Sequence, residues 1–510
     1  MRIRHVSIVA GILGTLSLVS PIRAQVATMN EALTVANNWV DLIIDKKGNW
    51  GHSKTAEVVW IQEFTRENRS LGYFCSVKPT GFVVISLRKE LAPIKAYSTD
   101  SNMNPESDVG MADIIKGGIE RIHERIEEQI GPIESISSDE LLSFLELEYM
   151  GAWDELENPN DGVSIDQLKM DYQEGDVLLS SNWHQGNPFN QDCPTPPAVD
   201  DCTGPRCVVG CVATAASQIM HYWHWPPIGY GSPYEDTYDW PNMPDTLLTT
   251  SPQIEIDAVA ELCHEVGMAC DMIYCGGSGC ASGAFHSDMR DAFADNFQYS
   301  TSVNVRERND FTAVEWFERI KSDLSANRPL QYGVPGHSIV TDGWQEIGAT
   351  PIRQYHMNYG WAGWVPSPGD GAYNPDWDSY TNSNWWYTLD CLPGSNEDSE
   401  DIIEDIYPAT SLGPSISGTY NCTLFPFRYF DRDATGSSAI FSSGQFLQFL
   451  EHVVVTCTST TGGSIEFHGS ETDSTRLFTK GDPSVGICIT GGTLKLSQSG
   501  SIRFDCPHLN

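Results

Sequence analysis

The feature that constrains this chain most is an apolar helical pattern that begins at a cysteine. From Cys211 onward, apolar residues recur at helical spacing as far as Trp223, and the segment Trp225-Pro-Pro227 ends the pattern. This predicts a largely buried helix with Cys211 in its first turn. Unpaired backbone N–H groups and the helix dipole stabilise a thiolate at such a position and lower the pKa of the cysteine. A disulfide-bonded Cys211 is the alternative, because this region is rich in cysteine.

A thiolate nucleophile requires a base held close to it, and the strongest candidate is His337. It lies in Val334-Pro-Gly-His-Ser-Ile-Val-Thr341, where Gly336 leaves room beside the imidazole and the strand predicted after it would fix the ring. His356, on another predicted strand, is a rival. The sequence therefore favours a Cys–His pair.

Two amide side chains are candidates for the remaining roles of a cysteine hydrolase. Asn358 could accept a hydrogen bond from the imidazole N–H and so hold the tautomer needed for attack. Gln185, upstream of the nucleophile, could donate to an oxyanion together with the backbone N–H of Cys211. The alternatives are a turn residue at position 358 and a surface amide at position 185.

The first 24 residues have the pattern of a secretory signal. A short basic start is followed by an apolar stretch from Val6 to Ser20 and by Ala24, whose small side chain suits a cleavage site. An uncleaved anchor is the alternative, but the stretch is short for a spanning helix. We expect a secreted, extracellular protein whose mature form has no membrane span.

The charge balance argues against one class of function. The 510 residues include 30 basic and 68 acidic side chains, which gives a formal net charge of −38. Nothing supplies the cationic surface that phosphates require, so no nucleic-acid partner is expected. The charge suits solubility in a salty or extracellular medium, and steering of basic peptides is an open alternative.

The 14 cysteines indicate disulfides rather than a metal site. Eight of them lie between Cys193 and Cys280, and export would permit disulfides to form. The competing interpretation is zinc, but the sequence has no CxxC pair. We expect no metal and no organic cofactor, and the sequence does not define the disulfide pairing.

Composition divides the chain, which is too long for a single core, into four parts. They are a segment with the signal pattern at 1–24, a helix-and-strand module at 25–170, a segment in which the candidate catalytic residues lie at 171–410 and a β-rich C-terminal domain at 411–510.

Each of these parts has its own local pattern. The second part has predicted helices over Met29–Leu42 and Met111–Ile130 and a strand at Phe82–Ser86. An acidic, loop-like stretch from Asp154 to Gly175 then marks a boundary. Tryptophan, glycine, cysteine and histidine concentrate in the third part, and short alternating stretches in the fourth predict strands.

Taken together and in order, these segments resemble the streptopain family of papain-fold cysteine proteases. The matching motifs are Trp183-x-Gln185, Pro188-Phe-Asn190, Cys193-Pro194, Gly210-Cys-Val-Ala-Thr-Ala215, Gln218-Ile-Met220, Gly336-His337, Asp342-Gly343 and Asn358-Tyr-Gly-Trp-Ala-Gly363. The resemblance covers roughly residues 30–408, and residues 81–86 and 93–98 look like parts of the family's inhibitory prodomain.

The resemblance implies an α+β fold in which a papain-like cysteine protease catalytic domain at 171–410 follows an α+β inhibitory propeptide at 25–170 and precedes a small all-β C-terminal domain at 411–510. It implies that Cys211 is the nucleophile, His337 the general base and acid, Gln185 an oxyanion donor and Asn358 the neighbour that orients the histidine. Tyr359 stands where the family has tryptophan, which bears on how well this site is shielded from water.

The resemblance also implies a substrate cleft and a route of maturation. Ser282, Gly283, Ala284 and Trp361 are the expected substrate-binding residues. The partners would be protein or peptide substrates and the chain's own propeptide, acting as an intramolecular inhibitor. We expect a secreted cysteine endopeptidase, made as a zymogen, that hydrolyses peptide bonds through a thioester and removes its prosegment autocatalytically between about residues 157 and 176.

Two alternatives are compatible with the same residues. One is a papain-fold transferase or amidase that uses the same catalytic groups on another acyl donor. The other is a non-catalytic, disulfide-stapled secreted binding protein in which Cys211 is paired.

Overall fold

A computed structural model describes most of the chain up to residue 408. The described ranges are 25–157, 171–198 and 204–360, without residues 109, 227 and 236, together with residues 202, 385–388, 392 and 400–408. From residue 415 to residue 505 the backbone of the strands is described. The predicted signal peptide, Trp361 and residues 158–170 of the expected cleavage region lie outside the described residues.

Helices occur in both halves of the described chain. They are α1 (Met29–Lys47), α2 (Met111–Gln129), α3 (Ser138–Phe144), α4 (Met150–Glu157), α5 (Cys211–Trp223), α6 (Gln253–Ala269), α7 (His286–Asp295) and α8 (Ala313–Ser325). Capping boxes at Thr28, Ser137 and Thr312 satisfy the first backbone N–H groups of α1, α3 and α8. None of the described helices is long and apolar enough to cross a membrane.

The strands before residue 408 form one sheet. They are β1 (Glu57–Arg66), β2 (Arg69–Lys78), β3 (Phe82–Ser86), β4 (Ile94–Ser98), β5 (Gln173–Glu174), β6 (Asn304–Glu307), β7 (Leu330–Val334), β8 (His337–Ile347), β9 (Ile352–Asn358), β10 (Trp385–Thr388) and β11 (Asp401–Glu404). Their order is β1-β2-β3-β4-β10-β9-β8-β7-β11-β6, with β5 paired to β8. Neighbouring strands are antiparallel.

The sheet runs without interruption from the N-terminal module (residues 25–157) into the central module (residues 171–408). The junction is the pairing of β4 with β10. There the ring of Phe82 lies 4.6 Å from that of Trp385, and the Thr388 hydroxyl donates to the carbonyl of Ile94. The N-terminal module therefore adds its strands to the edge of the central sheet.

Three apolar cores stabilise this arrangement. One lies mainly in the N-terminal module, and a second surrounds α5 in the central module. The third is shared, with Phe74 and Phe82 from the N-terminal module and Trp316 and Tyr355 from the central one. Aromatic side chains bury large apolar areas, so separating the modules would expose apolar surface on both.

The C-terminal part contains strands that are all parallel to their neighbours. They are β12 (Ser415–Tyr420), β13 (Phe427–Phe430), β14 (Ala434–Phe441), β15 (Phe446–Phe449), β16 (Val454–Cys457), β17 (Ser464–Phe467), β18 (Arg476–Thr479), β19 (Gly486–Ile489), β20 (Thr493–Leu496) and β21 (Arg503–Asp505). One sheet has the order β19-β16-β14-β17-β20, with β12 on β14, and the other has the order β13-β15-β18-β21. The predicted β-rich character of this part is confirmed, and each parallel pairing requires the chain to return to the same end of the sheet.

Candidate active site

Cys211 is the first residue of α5, at the position that the sequence predicted. Gly210 before it has a φ of 91°, a conformation that favours glycine. A Cβ atom at position 210 would lie 2.5 Å from Sδ of Met272 and 3.3 Å from the carbonyl oxygen of Ser282. The helix can start this close to its neighbours because residue 210 has no side chain.

The Cys211 side chain is half-buried, and its sulfur faces backbone hydrogen-bond donors. The backbone N–H groups of Ser338, Val212 and Cys211 itself are within hydrogen-bonding reach of the thiolate form. Burial raises the pKa of the Cys211 thiol, and the three donors offset part of that rise. The expectation of a lowered pKa was therefore wrong for the uncut chain, because the cost of desolvating the charge exceeds the stabilisation from the helix N-terminus.

His337 is the first residue of β8, directly after the tight connection from β7. Its Nε2 lies 2.8 Å from the carbonyl oxygen of Tyr359. Burial lowers the pKa of His337 to about 4, and the Tyr359 carbonyl opposes that change. Because the next residue, Ser338, supplies an N–H group to the Cys211 sulfur, the fold brings the two predicted groups of the Cys–His pair to one place.

Asn358, the last residue of β9, lies in a buried network of amide groups. Its side chain makes reciprocal hydrogen bonds with Gln218 of α5, at 2.9 Å from Nδ2 to Oε1 and 3.4 Å from Nε2 to Oδ1. Nδ2 also donates to the carbonyl of Ser181 at 2.8 Å, and Oδ1 accepts from the Gly360 N–H at 3.1 Å. These contacts fix the backbone that carries the Tyr359 carbonyl, so Asn358 can orient His337 through the main chain.

Gln185 lies next to the segment that leads into α5. Its backbone carbonyl accepts from the Val209 N–H at 2.9 Å, two residues before Cys211. The side chain is half-buried. The main chain thus holds Gln185 close to the start of α5, where an oxyanion donor would be needed.

Three of the four predicted substrate-binding residues lie beside the same helix start. Ser282 is buried, and its hydroxyl accepts from the Cys275 N–H at 3.1 Å. Gly283 pairs with Ile273 through two backbone hydrogen bonds of 2.9 and 3.2 Å, and a Cβ atom at 283 would meet open space. Ala284 is partly buried against the core around α5. The Ser282 hydroxyl is already engaged with the Cys275 N–H. A ligand at this wall would therefore contact backbone groups and occupy the open space beside Gly283.

Two disulfides tie this wall to the segment before the nucleophile. Cys202 is bonded to Cys280 and Cys207 to Cys275, which confirms that disulfides form in this region. The bonds join the loop that precedes Cys211 to the loop that precedes Ser282. Both sides of the candidate cleft are therefore covalently linked.

Among the cysteines that the structure describes, Cys211 is one of five without a disulfide. The others are Cys75, Cys193, Cys263 and Cys270. Burial raises the pKa of Cys193 and of Cys270 to about 12, which keeps these thiols protonated at neutral pH. Because Cys211 is unpaired, the structure does not support the alternative in which Cys211 forms a disulfide.

The rival base, His356, is held in a different contact. Its Nδ1 lies 2.6 Å from Oδ1 of Asp342, and both residues are buried. Its ring also packs edge-on against Trp386 at 5.1 Å. His356 therefore belongs to the junction with the N-terminal module.

Sequence reasoning missed several groups around the site. Tyr359 and Gln218 lie in motifs that match the streptopain family, but nothing else in the sequence indicates that the Tyr359 carbonyl and the Gln218 amide take part in the site. His286 and Asp401, described below, had none, because they come close to the site only through the packing of α7 and the pairing of β11 with β7.

Comparisons with known proteins agree with this geometry. Residues 183–367 match the Peptidase C10 family, and residues 23–116 match the Spi protease inhibitor family. Streptopain of Streptococcus pyogenes is 28% identical over 320 residues, which cover 57% of this chain and 71% of streptopain. The two matches stand in the order inhibitor, then peptidase. These findings support a streptopain-type C10 cysteine protease.

Other relatives of this C10 peptidase come from different bacteria. The thiol protease/hemagglutinin PrtT of Porphyromonas gingivalis is 26% identical over 276 residues, which are 48% of this chain and 28% of that protein. A solved fragment of a mutant Prevotella intermedia prointerpain A has a TM-score of 0.49 at 22% identity and covers 68% of this chain and 98% of its own. This C10 peptidase is a cysteine endopeptidase of the streptopain type, with a papain-like domain preceded by an inhibitor-type prodomain.

Proposed function

We propose that this C10 peptidase is exported as an inactive precursor, in which Cys211 is the nucleophile and His337 is the general base and acid. The observation that carries the proposal is that an unpaired cysteine at the start of α5 lies beside the strand that begins at His337, where Gln331 donates both to the Val212 carbonyl and to the Ser338 hydroxyl. Gln185 and the Cys211 N–H would donate to the oxyanion. Asn358 would hold the backbone that orients His337.

The contact of His337 supports one tautomer. A carbonyl oxygen can only accept, so the 2.8 Å contact with Tyr359 favours a proton on Nε2 and leaves Nδ1 unprotonated. Nδ1 would take the Cys211 proton as the sulfur attacks the peptide carbonyl. It would then protonate the leaving amine, and water would hydrolyse the thioester.

The electrostatics support a resting state in the uncut chain. Burial raises the pKa of Cys211 and lowers that of His337, so both changes favour the neutral thiol and the neutral imidazole. Strand β4 of the prodomain pairs with β10 of the catalytic sheet. On its other side, β10 pairs with β9, the strand that ends in Asn358. We propose that its removal, by cleavage between about residues 157 and 176, releases the active enzyme, and that the enzyme performs this cleavage itself.

Export is supported by the signal pattern at residues 1–24 and by the two disulfides, which form in oxidising compartments. Peptides and proteins would be the substrates in that setting. The domain bounds that we propose are those given by the sequence, with the prodomain ending near residue 170 and the catalytic domain near residue 410.

The test compares the full-length precursor with Cys211→Ala, following each by mass and by casein cleavage. Cys263→Ala removes a buried thiol that is also unpaired and is the matched control. We expect the wild type and Cys263→Ala to lose about 150 N-terminal residues and to digest casein, and Cys211→Ala to do neither. Equal processing of all three without casein cleavage would refute the proposal.

A further inference from the structure

Three residues lie side by side across the sheet, next to the candidate nucleophile. Asp401 on β11 is opposite Gly333 on β7, and Gly333 is opposite Ser338 on β8. Directly paired residues project from the same face of a sheet. The middle position has no side chain, and a Cβ atom there would overlap Oδ1 of Asp401 and lie 3.0 Å from Cε1 of His286. Gly333 therefore leaves a gap between Asp401 and Ser338.

The imidazole of His286, the first residue of α7, occupies this gap. Its Nε2 lies 2.7 Å from Oγ of Ser338, and its Nδ1 lies 2.9 Å from Oδ1 of Asp401. The His286 side chain is 8% exposed and that of Asp401 is 23% exposed. The contact between Nδ1 of His286 and Oδ1 of Asp401 is close enough for an ion pair, but its angles are not those of a hydrogen bond. The carboxylate favours a proton on Nδ1, which leaves Nε2 to accept the Ser338 hydroxyl proton.

The Ser338 hydroxyl is also held from a second side. It accepts from Nε2 of Gln331 at 2.9 Å, and the same Nε2 donates to the carbonyl of Val212 at 3.0 Å. The chain of contacts thus runs from β11 through α7 and β8 to the first turn of α5. It holds Ser338, the β8 residue whose backbone N–H favours the thiolate form of Cys211 and so opposes the rise that burial causes in the pKa of that thiol.

We propose that His286, oriented by Asp401, is a positioning residue that fixes Ser338, and with it the start of β8 beside His337, against the first turn of α5 that carries Cys211. The inference rests on the proposed role of Cys211 as nucleophile. The order Ser338–His286–Asp401 is also that of a serine hydrolase triad. However, the Ser338 hydroxyl is buried and already accepts from Gln331, so the geometry favours positioning over attack.

The experiment measures the thiolate directly in the full-length chain after its own processing. The rate of Cys211 alkylation by iodoacetamide is followed against pH, together with kcat and KM for a peptide substrate. Variants that do not process themselves are cut with a trace of wild type. Losing a well-placed donor to a charged sulfur should raise the alkylation pKa by about one unit in His286→Ala, so kcat falls on the order of tenfold while KM is unchanged.

The companion variants separate positioning from loss of fold. Ser338→Ala should give the same shift as His286→Ala, with no further change in the double variant, because both remove one contact chain. His286→Gln, whose amide can reach the Ser338 hydroxyl, should recover part of the effect. Ser287→Ala alters the next, exposed residue of α7 and should match the wild type.

The outcomes distinguish the two proposals. Alkylation profiles of His286→Ala and Ser338→Ala that coincide with that of the wild type would overturn the positioning role while leaving Cys211 as the nucleophile. A wild-type enzyme whose activity survives complete alkylation of Cys211 would overturn the proposed function itself. If His286→Ala does not fold, Ser338→Ala and Asp401→Asn provide the same measurement.

Discussion

Acid should loosen the precursor through one buried histidine of the prodomain. His123 lies on α2 with no exposed surface, and neither ring nitrogen has a hydrogen-bond partner within the described part of the chain. Burial, and then the positive charges of Arg69, Lys95 and Arg88, lower the pKa of His123 from 6.5 to about 3. The folded prodomain therefore binds this proton far more weakly than the unfolded chain does.

The sign and size of the effect follow from linkage between protonation and folding. A histidine whose pKa is lowered by folding contributes stability that is present above pH 6.5 and is lost as the pH falls towards 3. One pKa unit corresponds to about 1.4 kcal/mol, so between pH 7 and pH 5 the free energy of unfolding should fall by about 2 kcal/mol because of His123 alone. The lowered pKa of His337 acts in the same direction, but it is common to all the proteins compared.

The assay is urea unfolding of the full-length Cys211→Ala precursor at pH 7 and pH 5, with and without His123→Leu. Leucine is apolar and a good helix former, so the variant should lose about 2 kcal/mol less than its parent between the two pH values. The exposed His52, changed to alanine, is the control and should behave as the parent does. Equal losses with and without His123→Leu would refute the reasoning.

Further predictions concern the site and its junction with the prodomain. Gly210→Ala should abolish casein cleavage in a protein that still folds, because its methyl group would overlap Met272; activity and circular dichroism together check this. Gln218→Leu leaves the Asn358 amide buried with fewer partners, which should cost about 1–3 kcal/mol of stability and lower kcat, as thermal unfolding and peptide hydrolysis would reveal. Thr388→Val removes the hydroxyl that donates to β4, so the isolated prodomain should inhibit the mature variant about 5- to 100-fold more weakly than wild type.

Sequence alone determined the parts of this protein that depend on local pattern. The apolar spacing after Cys211 and the prolines that end it defined α5, and the predicted strand Phe82–Ser86 was confirmed with the same bounds. The order of four short motifs was enough to indicate the family. These features could be predicted because each depends on residues that are neighbours along the chain.

Tertiary structure decided how the candidate site is held and charged. The Tyr359 carbonyl at His337 and the line Asp401–Gly333–Ser338 depend on strand register, which a period-2 pattern does not define between distant strands. The direction of the Cys211 pKa was predicted wrongly for the same kind of reason. The helix N-terminus is visible in the sequence, but burial is set by every element packed around the sulfur, and here it is the larger effect.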